Sequence, residues 1–201
     1  MISCLTACRK AKDKVLRAVT GEARVWVSNL LRTWFDELSS SDWYNSSPEL
    51  DQMLRDRFGD ELDRQGGNPP ADLLEDPETA LAGILLFDQI PRNIHRGTAN
   101  AFAWDEQARA LANGMIERGW LDDLDSSRCQ FALMPLMHSE HLSDQDFSIE
   151  MFSQYAPGAL DFAKSHREMI ARFGRFPHRN EVLGRETTEE EAAAIAEGFS
   201  W

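Results

Sequence analysis

The sequence predicts an all-α protein: an up-and-down antiparallel stack of about eight helices, either a bundle or a solenoid. Three observations lead there. Apolar residues recur at helical spacing along most of the chain, while alternating strand patterns are nearly absent. Start signals recur, with a capping residue, a first-turn proline and an acid near the positive end of the helix dipole. The connections between periodic segments are only a few residues long, so neighbouring helices should run antiparallel.

The elements follow in order. Val27, Leu30, Leu31, Trp34, Phe35 and Leu38 form one side of a first helix over about 23–38. Ser47-Pro48-Glu49 opens a second, which carries Leu50, Leu54 and Phe58 and ends near Gly66-Gly67. Asp76-Pro77-Glu78 repeats that signal for a third helix reaching about Ile90, where Pro91 stops it. A fourth starts after Thr98 and ends before Gly119. The fifth, from Ser126 to near Ser139, is apolar almost all round and should be central. Ser143 opens a sixth and Pro157 a seventh, which runs to about Phe173. Thr188 followed by Glu189, Glu190 and Glu191 opens the last. No tandem period near 34 residues is evident. One short echo links Pro91-Arg92-Asn93 to Pro177-His178-Arg179-Asn180.

Composition narrows the function classes. The 201 residues suit one domain, residues 25–201, with a basic arm over 1–24, read as a solvated and possibly disordered tail. Aspartate and glutamate total 34 against 21 lysines and arginines, a net charge of −13. Such a chain repels polyphosphate and anionic membranes, so neither nucleic acid nor membrane is an expected partner. No apolar run approaches the ~20 residues that span a bilayer. Cys4, Cys8 and Cys129 give neither a disulfide framework nor zinc spacing, which fits a reducing, cytoplasmic setting.

Polar residues interrupt the apolar stripes at informative places. The stripe Leu81, Ile84, Leu85 continues to Asp88, and Phe131, Met134 continues to His138. Asp105 lies between the apolar positions of the fourth helix, and His166 among Phe162, Met169 and Ile170 of the seventh. Buried charge is costly unless paired, so each should have a partner. In an alternating stack the third, fifth and seventh helices end at one pole. That pole would collect Asp88, Gln89, Arg92 and Asn93, then Asp105, then His138 and Glu140, then Arg175, His178, Arg179 and Asn180. Helix N-termini would face it and favour an anion. Its strong cations are arginines, whose planar fork suits carboxylate or phosphate.

Two functions compete on this reading. In the first, a small anionic molecule is bound by Gln89, Arg92, Asn93, Asp105, Arg175, His178, Arg179 and Asn180. His138 or His166 is then the acid–base group, oriented by Asp88 or Glu140. In the second, the chain is an interaction scaffold for a protein or peptide, and the polar residues are a structural network. Neither a metal nor another cofactor is expected. His138 and His141 share a helix face, with His166 as a conceivable third ligand, but Glu140 points elsewhere and no His-Glu-x-x-His pattern is present. Ser139 lacks the glycines of a nucleophile elbow. Cys129 and most of the tryptophans read as core or lid, with an aromatic-lined pocket as the alternative.

Several of these motifs are long and unusual. Trp34-Phe35 and Trp43-Tyr44 precede the run from Leu85 to Gly97; Ala101 to Asp105, His138-Ser139-Glu140, Arg172 to Asn180 and Leu183-Gly184-Arg185 follow. In this order they resemble the bacterial family called domain of unknown function 924, over about Val25 to Glu191. The resemblance implies an all-helical fold related to tetratricopeptide-like superhelices, and it brings no established substrate, cofactor or catalytic residue. The family elements here are Asp88, Gln89, Arg92, Asn93, His138, Glu140, His166, Arg175, His178, Arg179 and Asn180. The family's usual acid at residue 141 is His141 in this chain, which weakens a metal reading further.

Overall fold

A computed structural model describes residues 25–45 and 47–198. The basic arm lies outside these residues. Among them the structure is helical, without strands. Helix α1 (25–32) passes into a π-turn at Thr33–Glu37, and α2 spans Pro48–Gln65. Helix α3 (Pro77–Ile84) continues through a π-turn, Leu85–Gln89, into α4 (Ile90–Ile94). The rest are α5 (Asp105–Glu117), α6 (Ser126–Met137), α7 (Leu142–Tyr155), α8 (Leu160–Phe173) and α9 (Glu189–Ala196).

Local chemistry accounts for most boundaries. Ser47 Oγ accepts from the Leu50 N–H, and Asp76 Oδ1 from the Thr79 N–H, each just before a first-turn proline. Thr188 and Glu191 form a reciprocal capping box at the start of α9. Gly119 and Gly174 end their helices with φ of 67° and 68°, a backbone state in which a side chain would be strained.

Three boundaries differ from the periodicity. Pro91 does not stop the helix. The π-turn before it widens the backbone by one residue, and the proline falls in the first turn of α4, where its missing N–H costs little. The segment after Thr98 is split into a 3₁₀ turn, Ala99–Phe102, and α5. Pro157 opens a 3₁₀ turn, Pro157–Ala159, which leads into α8. Further short turns, Pro70–Leu73, Trp120–Asp123 and Pro177–Arg179, were invisible to periodicity because three or four residues carry no repeat.

Helix α6 is the axis of the core. Every residue from Phe131 to Met137 is buried, and its neighbours are α3, α5, α7 and α8. Pro135 lies inside α6 and removes the N–H that would otherwise bond to the Phe131 carbonyl. Phe131 anchors an aromatic cluster: Trp34, Phe35 and Trp43 present edges or faces to it at centroid distances of 5.5, 5.7 and 5.0 Å. All three pairs are near perpendicular, the arrangement ring quadrupoles favour. The Trp43 indole N–H also donates to the Trp34 carbonyl at 2.9 Å. The loop that follows the first helix is thereby pinned over α6. A second, smaller core of Met169, Ile170, Phe176 and Ala194 ties the end of α8 to α9.

Replacing Phe131 with Ala removes the ring shared by three aromatic neighbours. Unfolding in urea is expected to show a loss of about 3–5 kcal/mol, with the loop carrying Trp43 losing protection from hydrogen exchange.

Candidate functional site

The centre of the site is the carboxylate of Asp88, which is fully buried. The π-turn Leu85–Gln89 carries it. It accepts from the Gln89 amide at 2.5 Å and from His138 Nδ1 at 2.8 Å, and Arg92 Nη1 lies 3.2 Å away. Burial works to raise its pKa. The charge of Arg92, with His138, overcomes burial and holds the carboxyl well below the usual carboxylate range. His138 ends α6, one turn after Met134. Burial pushes its imidazole down, Asp88 opposes that, and Arg92 adds to the depression. The pair is therefore a carboxylate and a neutral imidazole that donates from Nδ1, leaving Nε2 as a lone-pair nitrogen.

A second layer surrounds this pair. The Arg92 guanidinium bridges Asp88 to Asp105, 2.9 Å from Oδ1 of the latter. Arg179 reaches the other Asp105 oxygen at 3.3 Å and donates to the His138 carbonyl at 3.1 Å. Its guanidinium is sandwiched between the rings of Phe102 and Phe176, at 4.5 Å from each. Burial lowers its pKa to about 10, so it stays charged at neutral pH. The sequence echo has a structural meaning here. Each copy, Pro91-Arg92 and Pro177-His178-Arg179, begins a short helical turn after proline, and its arginine meets the other's at Asp105.

Gln89, Arg92, Phe102, His138 and Arg179 line a cavity of about 480 Å³, a volume typical of small-molecule sites. Its walls come from the loop bearing Trp43 and Tyr44, the α3–α4 segment, the Ala99–Phe102 turn, α6, α8 and the Pro177–Arg179 turn. His166 and His178 also line it. His166 donates from Nδ1 to the Phe162 carbonyl at 2.8 Å, and its ring lies 5.9 Å from that of His138. Burial lowers His166 to about 3, with repulsion from His138 adding to it, and burial lowers His178 to about 4, with Arg179 adding to it. Three neutral imidazoles therefore face one cavity at neutral pH. Among the described residues no group of three metal-ligating side chains has the geometry to hold an ion.

Of the residues that the sequence gathered at one pole, Gln89, Arg92, Asn93, His138, His178 and Arg179 lie in the cavity wall, and His166, which the sequence placed among the apolar positions of its helix, joins them. Asp88 and Asp105 stand behind it, as partners of the wall residues. Glu140, Arg175 and Asn180 sit elsewhere, in a clasp that fixes the C-terminal segment. Glu140 binds Arg185 through both oxygens, at 2.8 and 3.1 Å, and accepts from the Phe176 N–H at 2.8 Å. Arg175 and Asn180 both bind Glu191. The clasp holds Phe176 against Arg179 and His166. Arg185 and Glu191 complete it, although no apolar stripe pointed to them. Gln130 escaped sequence reading; Phe162 was read only as an apolar position of its helix, and Tyr44 and Phe102 only as parts of longer motifs, none of them as a site residue. Among the described tryptophans, Trp43 alone lines the cavity. Cys129 is buried in the core, and burial pushes its thiol to about 11, which makes it unreactive.

The fold and site define a class: an all-helical protein with a cavity whose wall is backed by a buried carboxylate–histidine pair. The chain belongs to the family described as bacterial protein of unknown function (DUF924), which it matches over residues 30–198. It is similar to a solved structure of a protein of unknown function, ATU0120, from Agrobacterium tumefaciens. The two are 33% identical with a TM-score of 0.82, over 87% of this chain and 99% of that one. No curated protein matches the chain. No helix among the described residues is long and apolar enough to cross a membrane.

The cavity histidines give the fold a pH dependence. Both His166 and His178 have folded-state values below the 6.5 of a free imidazole, so the unfolded chain takes up protons first on acidification. Stability is complete above about pH 6.5 and falls as pH drops towards the folded values. For His166 the expected loss is up to about 1.4 kcal/mol per pH unit below 6.5. Urea titrations at pH 7 and 5.5 measure it, and His166→Phe is expected to shrink the difference.

Proposed function

We propose that this protein binds a small molecule in the cavity and acts on it by general acid–base chemistry, with His138 as the base and Asp88 as the group that orients it. The observation that carries this reading is the Asp88–His138 contact at the cavity wall. A buried carboxylate accepts the hydrogen bond of the Nδ1–H and fixes the tautomer, so the nitrogen that remains, Nε2, is a base directed away from Asp88. A neutral imidazole is the form in which a base can accept a proton. Among the described residues lining the cavity there is no serine, threonine, cysteine or lysine, which favours proton transfer over a covalent intermediate.

The charge balance refines the kind of ligand. The sequence predicts Arg92, Arg175 and Arg179 among the residues that hold the anion, and of these Arg92 and Arg179 are at the cavity. Each is matched locally, the two arginines standing against Asp88 and Asp105. A dianion would find little uncompensated positive charge there. Locally matched charges of this kind suit a singly charged head such as a carboxylate better than a dianion. What favours this reading over a tetratricopeptide-like scaffold for a protein or peptide is the convergence of these groups on one cavity of ligand size.

Protein labelled with ¹⁵N in the histidine rings tests the proposal. At pH 7 the His138 signals are expected to report Nδ1–H and a bare Nε2. Titration with acetate, benzoate and other monocarboxylates at millimolar concentration is expected to move them, and inorganic phosphate to move them less. If none of the monocarboxylates shifts the His138, His166 or His178 signals, the binding reading fails. A His138 ring protonated at Nε2 in the free protein removes the base.

A further inference from the structure

The chain after α8 is knit to itself as well as to the helices. Gly174, with φ of 68°, separates it from α8. Within residues 175–198 many polar contacts close on one another. Arg175 holds the Glu191 carboxylate through Nε and Nη2, at 2.7 and 3.0 Å, and donates to the Glu186 carbonyl. The buried Asn180 amide donates to the same carboxylate at 3.2 Å, and so does the Thr188 N–H at 2.8 Å. The Arg185 N–H returns to the Asn180 carbonyl at 2.8 Å. Glu191 thus draws the turn, the loop and α9 into one small body.

The seam between this body and the helices is of a different kind. Its apolar part sets Phe176 and Ala194 against Met169 and Ile170, a cluster separate from the core around α6. The Phe176 ring also meets His166 at 5.5 Å. Its polar part runs through Glu140, which pairs with Arg185 and accepts from the Phe176 N–H, and through Asp105 and the His138 carbonyl, which receive Arg179. Arg185 and Glu140 keep 22% and 29% of their side chains exposed, so water and salt compete for the pair. Parting the seam strands no buried charge. Asp105 keeps Arg92, and Arg179 regains the water whose loss lowers its pKa.

We infer that residues 175–198 move as one body about Gly174 and are the door of the cavity. The body supplies His178 and Arg179 to the cavity wall, so its departure opens that side and its return completes the site. The role as a door rests on the cavity being a binding site; the motion does not. Opening through a small separate core and a part-exposed ion pair needs less free energy than unfolding the helices around α6. A glycine at the joint lets the backbone swing without strain. A ligand that touches Arg179 binds the closed form alone, so ligand and closure stabilise one another.

Native-state hydrogen exchange of the full chain, read by mass spectrometry at low, rising urea, tests the motion without any ligand. The hydrogen-bonded amides of 175–198 are expected to share one opening free energy, lower than that of α6 and less dependent on urea. Glu140→Gln, and Arg185→Gln from the other side of the same tie, are expected to speed exchange about five- to twentyfold across the body, α9 included, while α3 and α6 stay unchanged. Raising NaCl to about 1 M is expected to act in the same direction. Saturating benzoate is expected to slow exchange of the body more than that of α3 and α6. Exchange of 175–198 at the free energy and urea dependence of α6 overturns the moving body, as does an acceleration confined to the neighbours of Phe176 and Arg185. Benzoate that moves the His138 signals and leaves the body's exchange unchanged overturns the door and leaves the site standing. If no monocarboxylate moves the histidine signals, the site reading and the door fall together, and the exchange data still decide the motion.

Discussion

A buried carboxylate without partners would cost several kcal/mol, and Asp88 is fully buried. The site is organised around meeting that cost. The side chain accepts from Gln89 and His138 and lies against Arg92, and these groups come from the π-turn, the end of the central helix and the helix that follows. Arg92 in turn needs Asp105, and Asp105 receives Arg179 from the far end of the chain. A single desolvated charge thus fixes the relative placement of α4, α5, α6 and the Pro177–Arg179 turn. The network that stabilises the packing also defines the tautomer of His138, so fold and candidate chemistry share one interaction.

The C-terminal segment shows how such a network is reached from outside. Arg179 enters the site only because Phe176 and the turn beside it are held down. Glu140 and Arg185 do that on one side, and Arg175, Asn180 and Glu191 on the other. Phe102 and Phe176 then cover both faces of the guanidinium, which keeps it dry and rigid. Of the motif residues, some touch the cavity and others act through the shape of the turn. The π-turn at Leu85–Gln89 plays a similar part: its extra residue carries the helix through Pro91 and delivers Asp88, Gln89 and Arg92 together.

The inward direction of Asp88, Asp105, His138 and His166 was legible because each interrupts an apolar stripe, and the alternation of short-linked helices was enough to gather the first three at one pole. Arg175, Asn180 and Glu140 were gathered by the same reasoning but serve the clasp, since topology places residues at an end of the stack without saying which way a turn directs them. The arginines read as anion-holding stand in matched ion pairs for a related reason. Counting cations at a pole does not reveal that Asp88 and Asp105 lie between them. Tyr44 and Phe162 could not be found as site residues from pattern, because an aromatic residue at a helix start or in a loop looks the same whether it packs inward or lines an opening.

Local, periodic chemistry thus determined the helical class, most helix starts and stops, the central position of α6 and the identity of the polar residues that needed partners. Those features depend on interactions within a few residues along the chain. Tertiary structure alone decided which arginine meets which carboxylate, that three histidines share one wall, that Pro91 rides a π-turn and that two distant rings stand parallel in the cavity wall. These depend on the angles and offsets at which helices pack. Side-chain interlocking of the whole core sets those angles, and no short stretch of sequence encodes them.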